Sequence, residues 1–362
     1  MLYRLDELFD LQMGKTPSRN NSLYWNSNDY KWISIADLTK SGKYICDTKE
    51  CISERAVRES GISVIPPNTV VMSFKLSIGK TAITAEPMYS NEAIMSFRDK
   101  HLIEMRSDYL YYLFSGKKWD SGANKAVMGK TLNKATLSAT KINVHPIKEQ
   151  EEIVNRLDKA SSIIQLRKHQ LLKLDNLIKA RFVEMFGDPI SNSKSLMTNL
   201  LKDVLVLKAG DFTAASDIAD NPTEEYQYPC YGGNGIRGYV KEFNQEGEYS
   251  LIGRQGALSG NVQYAKGRFK NTEHALLVTP MIAINSIWLN NLLINLDLKR
   301  YQTGAAQPGL SVKNLQEIPI IYAPIEEQNE FASVVQQIDK SKVDGVIIVC
   351  LQVFAFRCTF KY

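Results

Sequence analysis

The chain is written twice, and this long-range repeat limits its fold more than any other feature. One copy ends in LNKATLSATKINVHPIKEQEEIVNRLDKA and the other in LSVKNLQEIPIIYAPIEEQNEFASVVQQIDKS. At a constant offset of 178 residues, Leu132 falls on Leu310, Leu137 on Leu315, Ile142 on Ile320, Pro146 on Pro324, Glu149 on Glu327 and Gln150 on Gln328. Upstream, with small gaps, 72–83 resembles 251–262 and 91–97 resembles 272–278. A period this long marks a duplicated domain, not a solenoid, and 362 residues suffice for two domains with their own cores.

Each copy runs through the same order of parts. A Gly- and turn-rich region with short β-like runs (69–74; 249–252 and 275–278) precedes a short helix (109–114; 287–296). A polar or basic loop, a short strand (141–144; 318–322) and a Pro-Ile-x-Glu-Gln motif follow, the last leading into a helix. Carboxylates crowd those two helix starts (Glu149, Glu151, Glu152; Glu326, Glu327), where the positive end of the helix dipole favours them. In the first helix Ile153, Leu157, Ala160, Ile164, Leu171, Leu174, Ile178 and Met185 fall on alternating four- and three-residue steps. Arg167 and Arg181 take the two missing positions. Gly187-Asp188-Pro189 supplies a left-handed cap and a stop. Such a helix is about 55 Å long, and its single apolar stripe calls for a partner helix. An ordinary long core helix is the alternative. The fold class is α+β.

Net charge is only +5, but its placement is uneven. Residues 1–148 carry 21 Lys and Arg against 15 Asp and Glu. The stretch 121–148 has five lysines and no carboxylate, and 249–272 has Arg254, Lys266, Arg268 and Lys270, again with none. Acid-free basic stretches suit a surface that lies against phosphates; a solvated basic face is the alternative. Base readout needs Arg or Lys facing guanine and Asn or Gln facing adenine. The candidates for DNA contact are Lys75, Lys80, Lys125, Lys130 and Lys134 in the first copy, and Arg254, Gln255, Arg268, Gln307 and Lys313 in the second. Gly256 permits close approach of the backbone beside Gln255.

Other chemistry finds little support. Gly79-Lys80-Thr81 and Gly129-Lys130-Thr131 end like a phosphate-binding loop, but Phe74 and Asn124 stand where that loop needs glycine. His101, His145, His169 and His274 form no triad or metal set, and neither a Gly-rich cofactor turn nor the Asn/Asp-Pro-Pro-aromatic loop of an adenine methylase is present. Five cysteines without a C-x-x-C pair, Cys46 and Cys51 included, give neither a disulfide framework nor a zinc site, as expected of a reducing cytoplasm. No secretory signal opens the chain, and the most apolar stretch, 345–356, is too short to span a bilayer. No catalytic residue, cofactor, metal or membrane partner is expected. A non-catalytic scaffold with two interaction domains stays open at this point.

The order of globular domain, PIxEQ-type helix ending in LIKARFVEMFGDP, second globular domain and second PIxEQ-type helix resembles the specificity subunit of type I restriction–modification systems. The resemblance covers nearly the whole chain. It implies two similar target-recognition domains (1–148 and 188–325) separated by long antiparallel coiled-coil helices (149–187 and 326–362), with pseudo-two-fold internal symmetry. It further implies a bipartite double-stranded DNA target, two copies of a methylation subunit docked on the helices, and restriction subunits joining through that core with ATP and magnesium. Ile153, Leu157, Ile164, Leu171, Leu174 and Ile178 are then expected to form the seam between helices. The C-terminus departs from the pattern. After about 342 the seam is lost, Gly345 weakens a helix, and the β-branched run beyond it favours strand. A shortened or aberrant second helix is expected there, with a truncated or inactive variant of the subunit as an alternative reading.

Overall fold

The computed structural model describes residues 1–25, 27–75, 77–119, 124–126, 129–304 and 309–359, without the side chains of 124–126, 129–131 and 343–359. The chain divides into two compact units, Met1–Ser162 and Ile163–Tyr362.

In the first unit a five-stranded sheet runs in the order Phe9–Met13, Ile94–Asp99, Val70–Ser73, Thr81–Thr84, Tyr44–Ile45. The inner strands Val70–Ser73 and Thr81–Thr84 and the start of Ile94–Asp99 are buried on both faces, whereas the edge strand Phe9–Met13 alternates. Val70, Met72, Ile83, Met95 and Phe97 point to Tyr109, Leu110 and Phe114 of the helix Ser107–Gly116. Val71, Ala82 and Ile94 point the other way, to Ile33, Leu38, Ile45 and Met88. A second sheet joins Glu50–Ile52, Tyr30–Ile33 and Tyr89–Ser90. A two-stranded ribbon pairs Leu2–Arg4 with Lys141–Asn143, Tyr3 opposite Ile142.

The second unit repeats this plan. Met197–Leu200 pairs with Pro319–Tyr322, and Ile320 stands opposite Asn199 as its repeat equivalent Ile142 stands opposite Tyr3. Its six-stranded sheet runs Leu205–Ala209, Ala275–Pro280, Gln245–Gly253, Val262–Asn271, Tyr228–Gly232, Gly235–Val240. The first unit splits one long strand into Thr81–Thr84 and Tyr89–Ser90, whereas the second keeps it whole as Val262–Asn271. In both, the end of that path pairs in parallel with an inner strand: Ile33 with Ser90, Tyr231 with Asn271. Hydrogen bonds from Phe74 N to Ala93 O (3.0 Å) and from Arg254 N to His274 O (3.1 Å) are equivalent. They match Ser73 to Gly253, one residue on from the sequence match of 72 with 251.

The helix Ile147–Phe186 is continuous over 40 residues, about 60 Å. Gly187 ends it at φ +78°, its N–H bonded to Val183 O (2.8 Å), as the Gly-Asp-Pro sequence predicts. Near this end it packs antiparallel on the helix Ile325–Thr359. Phe182 and Phe186 lie against Phe331 and Trp288, Arg181 pairs with Glu330 (3.3 Å) and Asp175 with Lys342 (2.8 Å). Arg181 can thus occupy a seam position: its guanidinium reaches across to a carboxylate on the facing helix.

Ile178 is buried in this core and Leu174 packs on it, while Leu157, Ile164 and Leu171 are half-buried along the same stripe. Ile153 departs from the expected seam. It packs on the first unit's own core beside buried Val154, because the first turns of the helix lie on that domain. The second helix also departs from expectation. Its backbone continues to Thr359 and does not end near Lys342. One glycine costs a helix only about 1 kcal/mol, and β-branched residues less, so local propensity does not terminate it. Among the described residues, no helix is long and apolar enough to cross a membrane.

Candidate nucleic-acid interface

The glutamine of each PIxEQ motif joins a long helix to a domain. Gln150 is fully buried; its Oε1 accepts from Arg106 N (3.0 Å), and its Nε2 donates to Glu104 O (3.1 Å) and His145 O (2.9 Å). Gln328, equally buried, accepts from Asn285 N (2.8 Å) and donates to Ala323 O (2.7 Å). Arg106 and Asn285 are the N-cap residues of the helices Ser107–Gly116 and Ser286–Asn295. One amide therefore satisfies the free groups of a helix start and of the loop facing it.

Beyond this clamp, each unit gathers its candidate residues on a turn and a loop that are hydrogen-bonded to each other. In the first unit Ser73 N donates to Lys80 O (2.9 Å) and Gly79 N to Ser73 O (2.9 Å), closing the turn that carries Lys75 and Lys80. In the second, Gly253 N donates to Asn261 O (2.9 Å) and Gly260 N to Gly253 O (2.7 Å), closing the turn that carries Arg254 and Gln255. Gly79 and Gly260 sit at φ +87° and +86°. A Cβ on Gly79 would meet Trp119 at 3.0 Å, and one on Gly260 would meet Lys299 N at 2.7 Å. These glycines therefore serve the turn and its packing, not a phosphate-binding loop.

The neighbouring loop is tied in the same way in both units: Leu132 N donates to Phe74 O and Leu310 N to Arg254 O, each at 2.9 Å. In the first unit this loop is the hairpin Asn124–Ala126 with Gly129–Thr131, where Lys125 and Lys130 stand opposite each other. The side chains of these two lysines lie outside the described residues, as does Gln307 altogether. Each loop then enters a short capped helix. Asn133 accepts from Thr136 N (2.7 Å) before Lys134, and Ser311 accepts from Asn314 N (3.1 Å) beside Lys313.

Charge pairing separates the candidates. Lys80, Lys134, Gln255 and Lys313 are exposed, Lys75 and Arg254 half-exposed. Among the described residues, none of these cations has a carboxylate within ion-pair distance. Arg268 differs from them. It stands opposite Glu246 across the strand pair and donates to it (3.0 Å). Lys266 likewise pairs with Glu248 (2.6 Å), and Lys270 with Asp211 (3.5 Å). The stretch 249–272 is acid-free in sequence but not in space, because its strand partners supply the acids. Arg268 therefore leaves the candidate set. Glu248 also accepts from Tyr264, whose hydroxyl is pushed up to about 12 by burial and by that carboxylate.

Sequence reasoning missed Gln150 and Gln328 as clamps, although the repeated motif marked them. It also missed Glu273 and His274, which sit beside Gln255: His274 Nδ1 is 2.9 Å from Gln255 Oε1. Their partnership depends on strand pairing and leaves no mark in spacing.

The type I restriction modification DNA specificity domain family matches this chain over residues 1–176 and 196–344. The chain is 32% identical over 356 residues to the type I restriction enzyme EcoprrI specificity subunit of Escherichia coli, covering 92% of this chain and 86% of that protein. It is 25% identical over 236 residues to the type I restriction enzyme MjaIX specificity subunit of Methanocaldococcus jannaschii, covering 62% and 54%. Among solved structures, the type I restriction–modification S subunit from M. genitalium shares the fold, with a TM-score of 0.53 at 16% identity over 98% of this chain and 93% of that one. With the repeat, the paired helices and the matched turns, these likenesses lead to one conclusion: the chain belongs to the type I restriction–modification DNA specificity family.

Proposed function

We propose that this chain is the sequence-selecting subunit of a type I restriction–modification enzyme, carrying no catalytic groups and directing methylation and restriction subunits to a bipartite DNA target. Residues 1–148 and 188–325 each read one half of the target, and the helices 149–187 and 326–362 set the gap between the halves. The observation that carries the reading is the same turn-and-loop pair in both units, bearing cations that have no carboxylate partner among the described residues. Lys75, Lys80, Lys125, Lys130, Lys134 and Lys313 hold phosphates, while Arg254, Gln255 and Gln307 face base edges.

Two methylation subunits dock on the long helices, and restriction subunits join through them, using ATP and magnesium. At about 100° per residue, exposed Leu166 and Leu177 fall on one flank of the first helix and exposed Leu172 and Val183 on the other, the two pairs about 120° apart. These flanks are apolar area awaiting protein partners.

Methylome sequencing of cells expressing the chain with its own methylation subunit tests the proposal. A split adenine-methylation motif is the expected result. In vitro, duplex binding by the assembled complex should weaken linearly in log–log against salt, with a slope of about −0.9 per phosphate contact. A two-domain scaffold would give neither a motif nor a salt slope.

A further inference from the structure

The turn at Arg254 holds a polar relay that none of the cation assignments uses. His274 Nδ1 lies 2.9 Å from Gln255 Oε1, and His274 Nε2 lies 3.1 Å from Glu273 Oε1. The backbone around the relay is fixed. Arg254 N donates to His274 O (3.1 Å), Leu310 N donates to Arg254 O (2.9 Å), and Gln255 forms a bridge with Gly309. Gly233 passes so close that a Cβ there would lie 3.0 Å from His274 O. Gln255 is exposed, yet its amide is held at one end.

An imidazole nitrogen facing a carboxylate carries hydrogen, which assigns Nε2–H to the contact with Glu273. The other ring nitrogen then decides which end of the Gln255 amide turns inward. With hydrogen on Nδ1, the amide oxygen turns in and the NH2 group turns out. With Nδ1 bare, the NH2 group turns in and the oxygen turns out. An outward NH2 group donates to base-edge acceptors such as purine N7, guanine O6 or thymine O4. An outward oxygen accepts from the amino groups of adenine or cytosine.

Among the described residues, the first unit shows no such device. By hydrogen-bond register its equivalent position is Lys75, with Ala93 in place of His274 and Glu92 in place of Glu273. An ammonium donates only.

We propose that Glu273 and His274 are positioning residues that fix the direction of the Gln255 amide, and so choose the class of base read at one position of the half-site served by the second unit. The proposal rests on the DNA-reading function above. The test is selection of a duplex pool, randomised over both half-sites, by the full chain assembled with its methylation subunit. Gln255→Ala should lower preference at one position by about 5- to 100-fold. His274→Leu and the isosteric Glu273→Gln should flatten that same position and no other. Adding His274→Leu to Gln255→Ala should change nothing further. The proposal is overturned if Gln255→Ala leaves every position intact, if Glu273→Gln and His274→Leu both keep the preference that Gln255→Ala removes, or if they weaken all positions equally. If the unaltered complex selects no duplex at all, the DNA-reading function fails, and this proposal with it.

Discussion

Replacing Gln150 by alanine removes three hydrogen bonds from a fully buried site, those to Arg106 N, Glu104 O and His145 O. A buried polar group left unpaired costs about 1–3 kcal/mol, and the truncated side chain adds a cavity, so a loss of about 3–5 kcal/mol is expected. Gln328→Ala breaks two such bonds and should cost about 2–4 kcal/mol. Gln150→Glu is the sharper perturbation. One oxygen still accepts from Arg106 N, but the other turns toward two carbonyl oxygens in place of a donating NH2 group. The folded state then disfavours the ionised form and raises that carboxyl above its unfolded value of about 4.3. For a raised pKa the stability is present below the unfolded value and lost as pH rises through the folded one. Gln150→Glu should therefore be mild near pH 4 and severe at pH 7. Urea denaturation of the full chain at both pH values measures the cost, and amide hydrogen exchange assigns it. Arg106 N–H should lose protection in Gln150→Ala while Asn285 N–H keeps it, and the converse should hold for Gln328→Ala. A cost under about 1 kcal/mol, or a Gln150→Glu variant indifferent to pH, would refute the clamp.

Arg254→Ala should relax base preference in one half-site, whereas Arg268→Ala, already paired with Glu246, should leave the selected motif unchanged; sequencing of bound duplexes reads both. Gly260→Ala places a Cβ 2.7 Å from Lys299 N at φ +86° and should cost more than about 1 kcal/mol in urea melts. Burial pushes the Asp108 carboxyl up, but the bond from Arg106 and the nearby Lys43 outweigh it and hold the group below its ordinary value. A lowered pKa stabilises the fold above about pH 4, a contribution lost as pH falls through the folded value, so Asp108→Asn should flatten the acid limb of the first unit's stability curve.

The duplicated order of parts, the long helix and its glycine stop were legible because each rests on local chemistry that survives in one dimension: a motif written twice, a seven-residue stripe, a cap. The sheets were legible only in fragments. Val70–Ser73 and Thr81–Thr84 bury both faces, so the alternation that announces a half-exposed strand is missing. Arg268 was misread because its partner Glu246 is near in space only through strand register. Ile153 was assigned to the helix seam because a stripe tells that a face is covered, not by what. His274 looked like a lone histidine until the pairing of the Arg254 backbone with its carbonyl brought it to Gln255.

The two copies divide their residues by task. Gln150 and Gln328 hold equivalent helix starts, and Gly79 and Gly260 shape equivalent turns. Gly14 and Gly210 both lie where a Cβ would come within 2.3 Å of a carbonyl oxygen, of Ser90 and Asn271 respectively. At all three of these pairs the residue type is the same in both copies: backbone geometry excludes a side chain at the glycines, and the buried amide contacts call for an oxygen and an NH2 group at the glutamines. On the same turns the outward positions differ: Lys75 against Gln255 and Lys80 against Asn261, and beside them buried Ala93 stands where the second unit has His274. A scaffold binding one partner twice would gain from identical outward chemistry. A pair of heads that must recognise two different base runs needs a common frame with unlike donors and acceptors on it. Exchanging Lys75 and Gln255 between copies should therefore alter which base is read at one position of the half-site served by the second unit while leaving both domains folded.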